Sequence, residues 1–406
     1  MSPFVTDNRP SAHDVVVVGG GPAGLYTALL LARRGFDVAL FEEHEAIGDP
    51  VHCTGVLAAE AYDQLDIPRN AILNTLSTVR FFAPSGDAIS YTTPRIEALV
   101  IDRRLFDDHL HLRAAECGVA ITTGTRVTCV TPEADGVSVS FADGGVARAR
   151  ACVLACGANY VFQRRLGLGL PGVFLQSAQI EWPTSPFVDV EVHFGHDVAP
   201  SGFAWAVPVR RGASSFARIG LMCDGNAARH FGEFVRRIGE RLGVFLTADG
   251  AVPEPRQKIL PLAPLRKTYA HRVLAVGDAA GLVKATTGGG IYYSLLSAAI
   301  AADVLADGLE RDALEETHLA TYQRAWRKRL GPELEAQLSL RLLANRLSDD
   351  EIEMLFELAH TDGIMPIVRR TAKFNQHRDL ILSLFKHPPA RRIFFRRLAG
   401  RPVGAV

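Results

Sequence analysis

The chain has 406 residues, 48% of them hydrophobic, which is enough for two domains with substantial cores. Its 44 Lys and Arg balance 44 Asp and Glu, so the global positive field of a nucleic-acid binder is absent and no nucleic-acid partner is expected. No run of about 18 uncharged apolar residues reads as a spanning helix, and none of the six cysteines (Cys53, Cys117, Cys129, Cys152, Cys156, Cys223) stands in a CxxC pair, so no metal site is expected.

The polar opening MSPFVTDNRPSAHD reads as loose and carries no secretory pattern, which with the cysteine usage suggests a reducing, cytoplasmic setting. Asp14–Val18 (DVVVV) is a β-branched run, the pattern of a strand buried on both faces. It leads into Gly19-Gly20-Gly21-Pro22-Ala23-Gly24, a GxGxxG fit: Gly19 for the turn, Gly21 for main-chain approach to a pyrophosphate, Gly24 for close helix–sheet packing. The helix that follows, from Ala23 to about Arg34, aims its N–H groups and positive dipole end at the phosphates. Val38–Phe41 is a second strand, and Glu42 at its end lies roughly 20 residues on, where an acid binds ribose hydroxyls. Glu43 reads as a solvated loop charge. A second match, Gly167 to Gly172, has no strand before it and holds Pro171 inside, so it reads as a turn-rich connection.

Further along come Pro50-Val51-His52-Cys53-Thr54-Gly55, a strand at Val79–Phe82, and Asp102-Arg103 in VIDRRLFDDHL. Val153–Ala158 is a strand ending in a small-residue turn at Gly157. Phe187–Phe194, Phe203–Val209 and Phe216–Leu221 read as strands, and Phe203 and Trp205 alternate, so they share a face. Phe231–Leu242 is an amphipathic helix. Val273–Val276 ends in Gly277-Asp278, followed by Gly288-Gly289-Gly290 and a helix over Ile291–Leu305. Helices are expected at Glu315–Arg329, Glu333–Arg346 and Asp349–His360. From Pro366 to Val406 ten bases, Arg397 and Arg401 among them, face a single acid, Asp379, with apolar Leu380–Phe385 and Ile393–Phe395 interleaved. Such a region suits a peripheral contact with an anionic membrane, and equally a solvated helical cap or an oligomer contact.

The strand, Gly-Asp and glycine-triplet layout resembles the FAD-binding fold of the p-hydroxybenzoate hydroxylase type. That resemblance implies FAD, with Arg103, Gly157, Asp278, Gly288, Gly289 and Gly290 at the cofactor beside the GxGxxG residues. PxxCxG at Pro50–Gly55, FAWAVP at Phe203–Pro208 beside a YxWxFP pattern, and GDAAGLVKATTGGGIYY at Gly277–Tyr293 together resemble the geranylgeranyl reductase family, over roughly residues 12–400. The chain departs from that family at Phe203 and Val207, at the incomplete GxG after Gly220, and at Ala285, where relatives carry Pro. The resemblance implies saturation of isoprenoid C=C bonds. Cys53 or water would supply the proton, Phe203, Trp205 and Tyr292 would line a substrate tunnel, and a transient NAD(P)H or another external reductant would supply electrons.

The expected fold is α/β: a Rossmann-like FAD-binding domain (12–75, 100–165 and 260–308), an antiparallel β-sheet substrate domain (76–99 and 166–259) and a C-terminal helical region (309–406). Two other functions fit the same scaffold. One is a FAD-dependent monooxygenase or halogenase. The other is an electron-transfer flavoprotein serving a membrane quinone, which the lack of an Fe–S cysteine set disfavours.

Overall fold

The structure, a computed structural model, describes residues 13–244, 252–361 and 363–396. Most of the polar opening, and Arg397 and Arg401 of the basic region, lie outside the described residues. An eight-stranded sheet centres on His13–Val18, which pairs in parallel with Val38–Phe41 on one side and Val146–Leu154 on the other. Ala120–Thr122 and Val273–Ala275 extend it in parallel, and a hairpin, Val127–Pro132 with Val137–Phe141, hangs from Val146–Leu154. Val15 to Val17 are fully buried, as a central strand covered on both faces requires. One cover is the helix Pro22–Ala32, apolar nearly all round because it is packed against both Arg103–Glu116 and Ile291–Glu310.

A second sheet has seven strands in the order Arg256–Pro261, Phe174–Pro183, Ser214–Cys223, Phe203–Arg211, Val190–His193, Thr78–Phe82 and Ala88–Thr92. It differs from the expected antiparallel sheet at one joint. Val190–His193 runs parallel to Thr78–Phe82, because the chain passes through the first sheet between them, the long crossover that a parallel pair needs. Its back is covered by the helix Ala227–Leu242, started by Asn226, whose side chain accepts from the Arg229 N–H, and ended by Gly243 in the left-handed region. That helix buries Phe231, Phe234, Val235, Ile238 and Leu242, each worth about 1.5–3 kcal/mol. An unanticipated antiparallel sheet of three strands, Val56–Ala58, Ala98–Ile101 and Ile72–Leu76, joins the two layers.

The helices differ from expectation in two places. Glu315–Arg329 and Glu333–Arg346 form one helix, Glu316–Ala344, that runs through Pro332. Proline there removes one hydrogen bond, costing about 3 kcal/mol, and the buried face of Leu330, Leu334, Gln337 and Arg341 holds the helix together. The helix at Ile291 extends to Glu310, long and apolar enough to cross a bilayer by composition, but 72% of that stretch is buried inside the fold. The second GxGxxG lies in a loop between Val161–Arg165 and Phe174–Pro183, with Gly167 and Gly169 at positive φ and no helix opening at Gly172.

Candidate active site

Two cavities meet between the sheets. The first, about 620 Å³, is a trough lined by Gly19 to Pro22, Glu42, Arg103, Thr125 to Thr128, Gly157 and Lys258. Its floor is main chain. A Cβ on Gly19 would sit 2.5 Å from the Ala155 carbonyl oxygen, and one on Gly24 2.0 Å from the Gly19 oxygen, so strand and helix close to a distance only glycine permits. Gly21 and Gly157 have no atom within 4 Å of their would-be Cβ, and both face the trough. Pro22 opens the helix and Ala23 packs beneath it. The Gly20 N–H donates to Glu42 Oε2 at 2.6 Å and the His44 N–H to Glu42 Oε1 at 3.0 Å, fixing the carboxylate at the rim.

Arg103 donates twice to Asp107, at 3.1 and 2.8 Å, and its buried Nε finds no partner among the described residues. Burial opposes its charge, but Asp107 and Cys53 together outweigh burial and keep the guanidinium protonated. Its neighbour Arg104 is exposed. Asp278 sits in the turn Gly277–Ala280, where Oδ2 accepts from Lys258 Nζ at 3.0 Å. A Cβ on Gly290 would lie 2.7 Å from Asp278 Oδ1, so the glycine triplet closes directly over that carboxylate. The open glycine surface, the unpartnered Arg103 Nε and the rim carboxylate together fit a dinucleotide such as FAD. Glu42 would take ribose hydroxyls, Asp278 the ribityl chain, and Gly288 to Gly290 the ring edge.

Both cavities share Gly21, Pro22, His52, Cys53, Arg103, Ala155, Gly157 and Lys258. Cys53 thus stands at their junction, its Sγ accepting from the Gly55 N–H at 3.3 Å. The loop is held from the second sheet. Arg218, 5% exposed, donates to the carbonyls of Thr54 at 2.6 Å and Ile101 at 2.9 Å and to Glu181 at 2.8 Å. Glu181 also accepts from Arg211, which pairs with Asp102, the cap of the helix that begins with Arg103. Burial raises the Glu181 pKa, and the two arginines more than reverse that, leaving it below the usual carboxylate range. Thr54 Oγ1 donates to Gln179 Oε1 at 2.8 Å. Burial, with Lys258 and Arg256 nearby, pushes the His52 pKa down, so its imidazole favours the neutral form.

The second cavity, about 680 Å³, continues from the junction along the seven-stranded sheet. Phe81, Val190, Val192, Phe194, Phe203 and Trp205 make one apolar wall, with the Phe203 and Trp205 rings 5.8 Å apart. Gly220 makes room for Trp205, since a Cβ there would meet the indole at 2.6 Å. Tyr292 lines the opposite wall, with its hydroxyl donated to Gln64 at 2.6 Å, so it offers a ring face. Sequence reasoning missed Lys258, Arg218, Glu181, Lys284 and Arg341. For Arg218 a signal was available, a charge inside an otherwise apolar strand, SSFARIGLMC.

The arrangement places a polar nucleotide trough end to end with an apolar tunnel, with one thiol where they meet. A family model described as lycopene cyclase protein matches residues 14–359. The digeranylgeranylglycerophospholipid reductase 2 of Methanothermobacter thermautotrophicus is 30% identical over 361 residues, 84% of this chain and 90% of that protein. A geranylgeranyl bacteriochlorophyll reductase-like protein of Thermoplasma acidophilum has the same fold, with a TM-score of 0.79 at 21% identity, covering 96% of this chain and 99% of that one. The halogenase PltM, solved with phloroglucinol and FAD, shares the fold more distantly, with a TM-score of 0.67 at 15% identity over 96% of this chain and 93% of its own.

Proposed function

The chain belongs to the lycopene cyclase protein family and to the geranylgeranyl reductase family of FAD-dependent oxidoreductases, and on that premise we propose that it saturates C=C bonds of an isoprenoid chain carried by a lipid or prenyl precursor. The observation that carries this reading is the apolar cavity opening onto the nucleotide trough at Cys53. FAD, bound and in its two-electron-reduced form, would supply a hydride to one alkene carbon. The other carbon needs a proton, and Cys53 Sγ, or a water ordered beside it, is the group at the junction to deliver one. Arg218 ties the carbonyl next to that thiol, Thr54, to the strand end at Ile101, which steadies where the proton is presented. Phe203, Trp205 and Tyr292 hold the chain by shape and exclude water. The electrons would come from a transiently bound NAD(P)H or another external reductant.

The far end of the cavity reaches Leu347, Ile352, Phe356 and Phe394. Phe394 lies on Pro388–Phe395, whose Arg391 and Arg392 are exposed. A basic helix at the tunnel's end suits peripheral contact with an anionic bilayer from which a lipid chain enters.

The test is product mass. Reduced, FAD-loaded protein incubated anaerobically with a geranylgeranylated glycerophospholipid should yield lipids heavier by two hydrogens per bond, all in the prenyl chains. Unchanged lipids, with flavin oxidation only when oxygen is admitted, would point instead to the oxygen-using enzymes on this scaffold.

A further inference from the structure

Lys284 lies in the turn that leads into the glycine triplet, and main-chain bonds close that turn. The Lys284 N–H donates to the Gly289 carbonyl at 3.1 Å, and the Gly288 N–H donates to the Lys284 carbonyl at 2.8 Å. The side chain folds back over the same turn. A Cβ on Gly289 would lie 2.8 Å from Lys284 Cε and 3.3 Å from Nζ, so the amine rests against the triplet that would hold the flavin ring edge. Lys284 is 4% exposed and lines the second cavity, and among the described residues it forms no ion pair with a carboxylate. Nζ donates to the Phe374 carbonyl and to Asn375 Oδ1, each at 3.1 Å, and one of its three donors stays free.

The charged and titratable groups around it leave it uncompensated. Glu60 reaches it only through Asn375, whose Nδ2 donates to Glu60 Oε1 at 2.9 Å. Glu333 is taken up by the His377 and Arg378 N–H groups, at 2.8 and 3.0 Å, and Asp278 by Lys258. His377 bonds Thr286 Oγ1 at 2.7 Å, and burial with Lys284 beside it brings its pKa down to about 4, so it is neutral at pH 7. Burial raises the Tyr292 and Tyr293 pKa values, so both are neutral as well. Arg341 donates to the Ala285 and Thr286 carbonyls of the same turn, and burial lowers its pKa only to about 10, so it stays cationic. Lys373 and Arg378 are exposed. Burial pushes the Lys284 pKa down to about 7, with only Glu60 opposing.

A buried amine that is charged and neutral with nearly equal ease is tipped by any new charge close to it. Two-electron reduction adds a proton to the flavin ring and leaves a negative charge on it. We propose that Lys284 takes up a proton when the bound flavin is reduced, and that the ammonium so formed beside the glycine triplet sets how strongly reducing the cofactor is. The role rests on the FAD reading above and deepens it, because it assigns control of the flavin potential to a residue outside the trough. Two electrons come from the external reductant and two protons from solvent; one proton goes to the ring and one to Lys284 Nζ. Below about pH 7 Lys284 is charged before reduction, and only the ring takes a proton. At high enough pH the amine is neutral in both states, and again only the ring takes one. Lys284 acts across the triplet by its charge, so it is a positioning residue.

The test is a redox titration of FAD-loaded, full-length protein against indicator dyes over a range of pH, followed by flavin absorbance. Each proton taken up with two electrons shifts the equilibrium tenfold per pH unit, about 30 mV. The wild-type potential should fall by about 60 mV per pH unit just above neutrality and by about 30 mV at higher pH. Lys284→Met should show the shallow slope throughout, and at pH 7 its flavin should be about tenfold harder to reduce, a potential lower by about 30 mV. Lys284→Arg carries a permanent charge, so it should keep the wild-type potential on the acid side and lose the steep segment. If Lys284→Met does not fold, wild type against Lys284→Arg decides alone. A one-proton slope across the whole range in the wild type overturns the proton site, as does a steep segment that survives in either variant. Wild-type protein that cannot be loaded with FAD would defeat the FAD reading itself, and the proton site would fall with it.

Discussion

The two cavities have similar volumes, about 620 and 680 Å³, but opposite construction. The trough is made of main chain: glycines set its floor, and one carboxylate at the rim is bound by backbone N–H groups. The tunnel is made of side chains that come from the second sheet, the turn before Ile291 and the C-terminal helices. A main-chain site tolerates almost no substitution where the backbone closes up, and it can be read from glycine spacing. A side-chain site is set by which strands become neighbours, and its residues carry no fixed spacing.

The sharpest way to break this contrast is Gly24→Ala. The added methyl would lie 2.0 Å from the Gly19 oxygen, a main-chain atom with no room to move. We expect loss of bound flavin and about 3 kcal/mol or more of stability, read from the flavin-to-protein absorbance ratio and the melting temperature. Wild-type flavin content in that variant would show that the trough is not closed in the way described.

The tunnel's sheet is held from behind, and Glu191→Gln tests that support. Glu191 is buried on the face opposite Val190 and Val192 and accepts from Arg241 and His193. Burial raises its pKa, but those partners outweigh burial and bring it to about 2, against an ordinary 4.5. Because the folded value is the lower one, the stability it contributes is present above about pH 4.5 and is lost as pH falls through about 2. Its size is on the order of 3 kcal/mol. Urea unfolding should show the variant weaker by that amount at neutral pH, with the gap narrowing in acid. A gap independent of pH would mean the effect is packing alone.

Cys53→Ala sharpens the contrast at the point where the cavities join. Turnover should fall about 100-fold with flavin content unchanged, as measured by steady-state lipid reduction. Full turnover would remove the thiol from proton delivery and leave water in that role.

The glycine turns, Glu42, Asp278 and the central strand were legible because each is a local demand of the backbone. Phe203 and Trp205 were legible through strand alternation. Lys258 and Arg218 were not, because their partners Asp278, Thr54 and Ile101 lie far away in sequence and are brought close by sheet order. The parallel joint between Val190–His193 and Thr78–Phe82 is hidden for the same reason. Pro332 misled in the opposite direction: its local signal ends a helix, and tertiary packing overrode it. Lys284 stood inside the Gly277–Tyr293 motif, but nothing local reveals that it is buried.

The most direct test of the central claim is single-turnover re-oxidation of reduced, FAD-loaded protein under strict anaerobiosis, followed by flavin absorbance. A geranylgeranylated glycerophospholipid should re-oxidise the flavin, and its fully saturated counterpart should not. If both lipids leave the flavin reduced until air is admitted, the cavity beyond Cys53 does not serve alkene reduction, and the account is wrong.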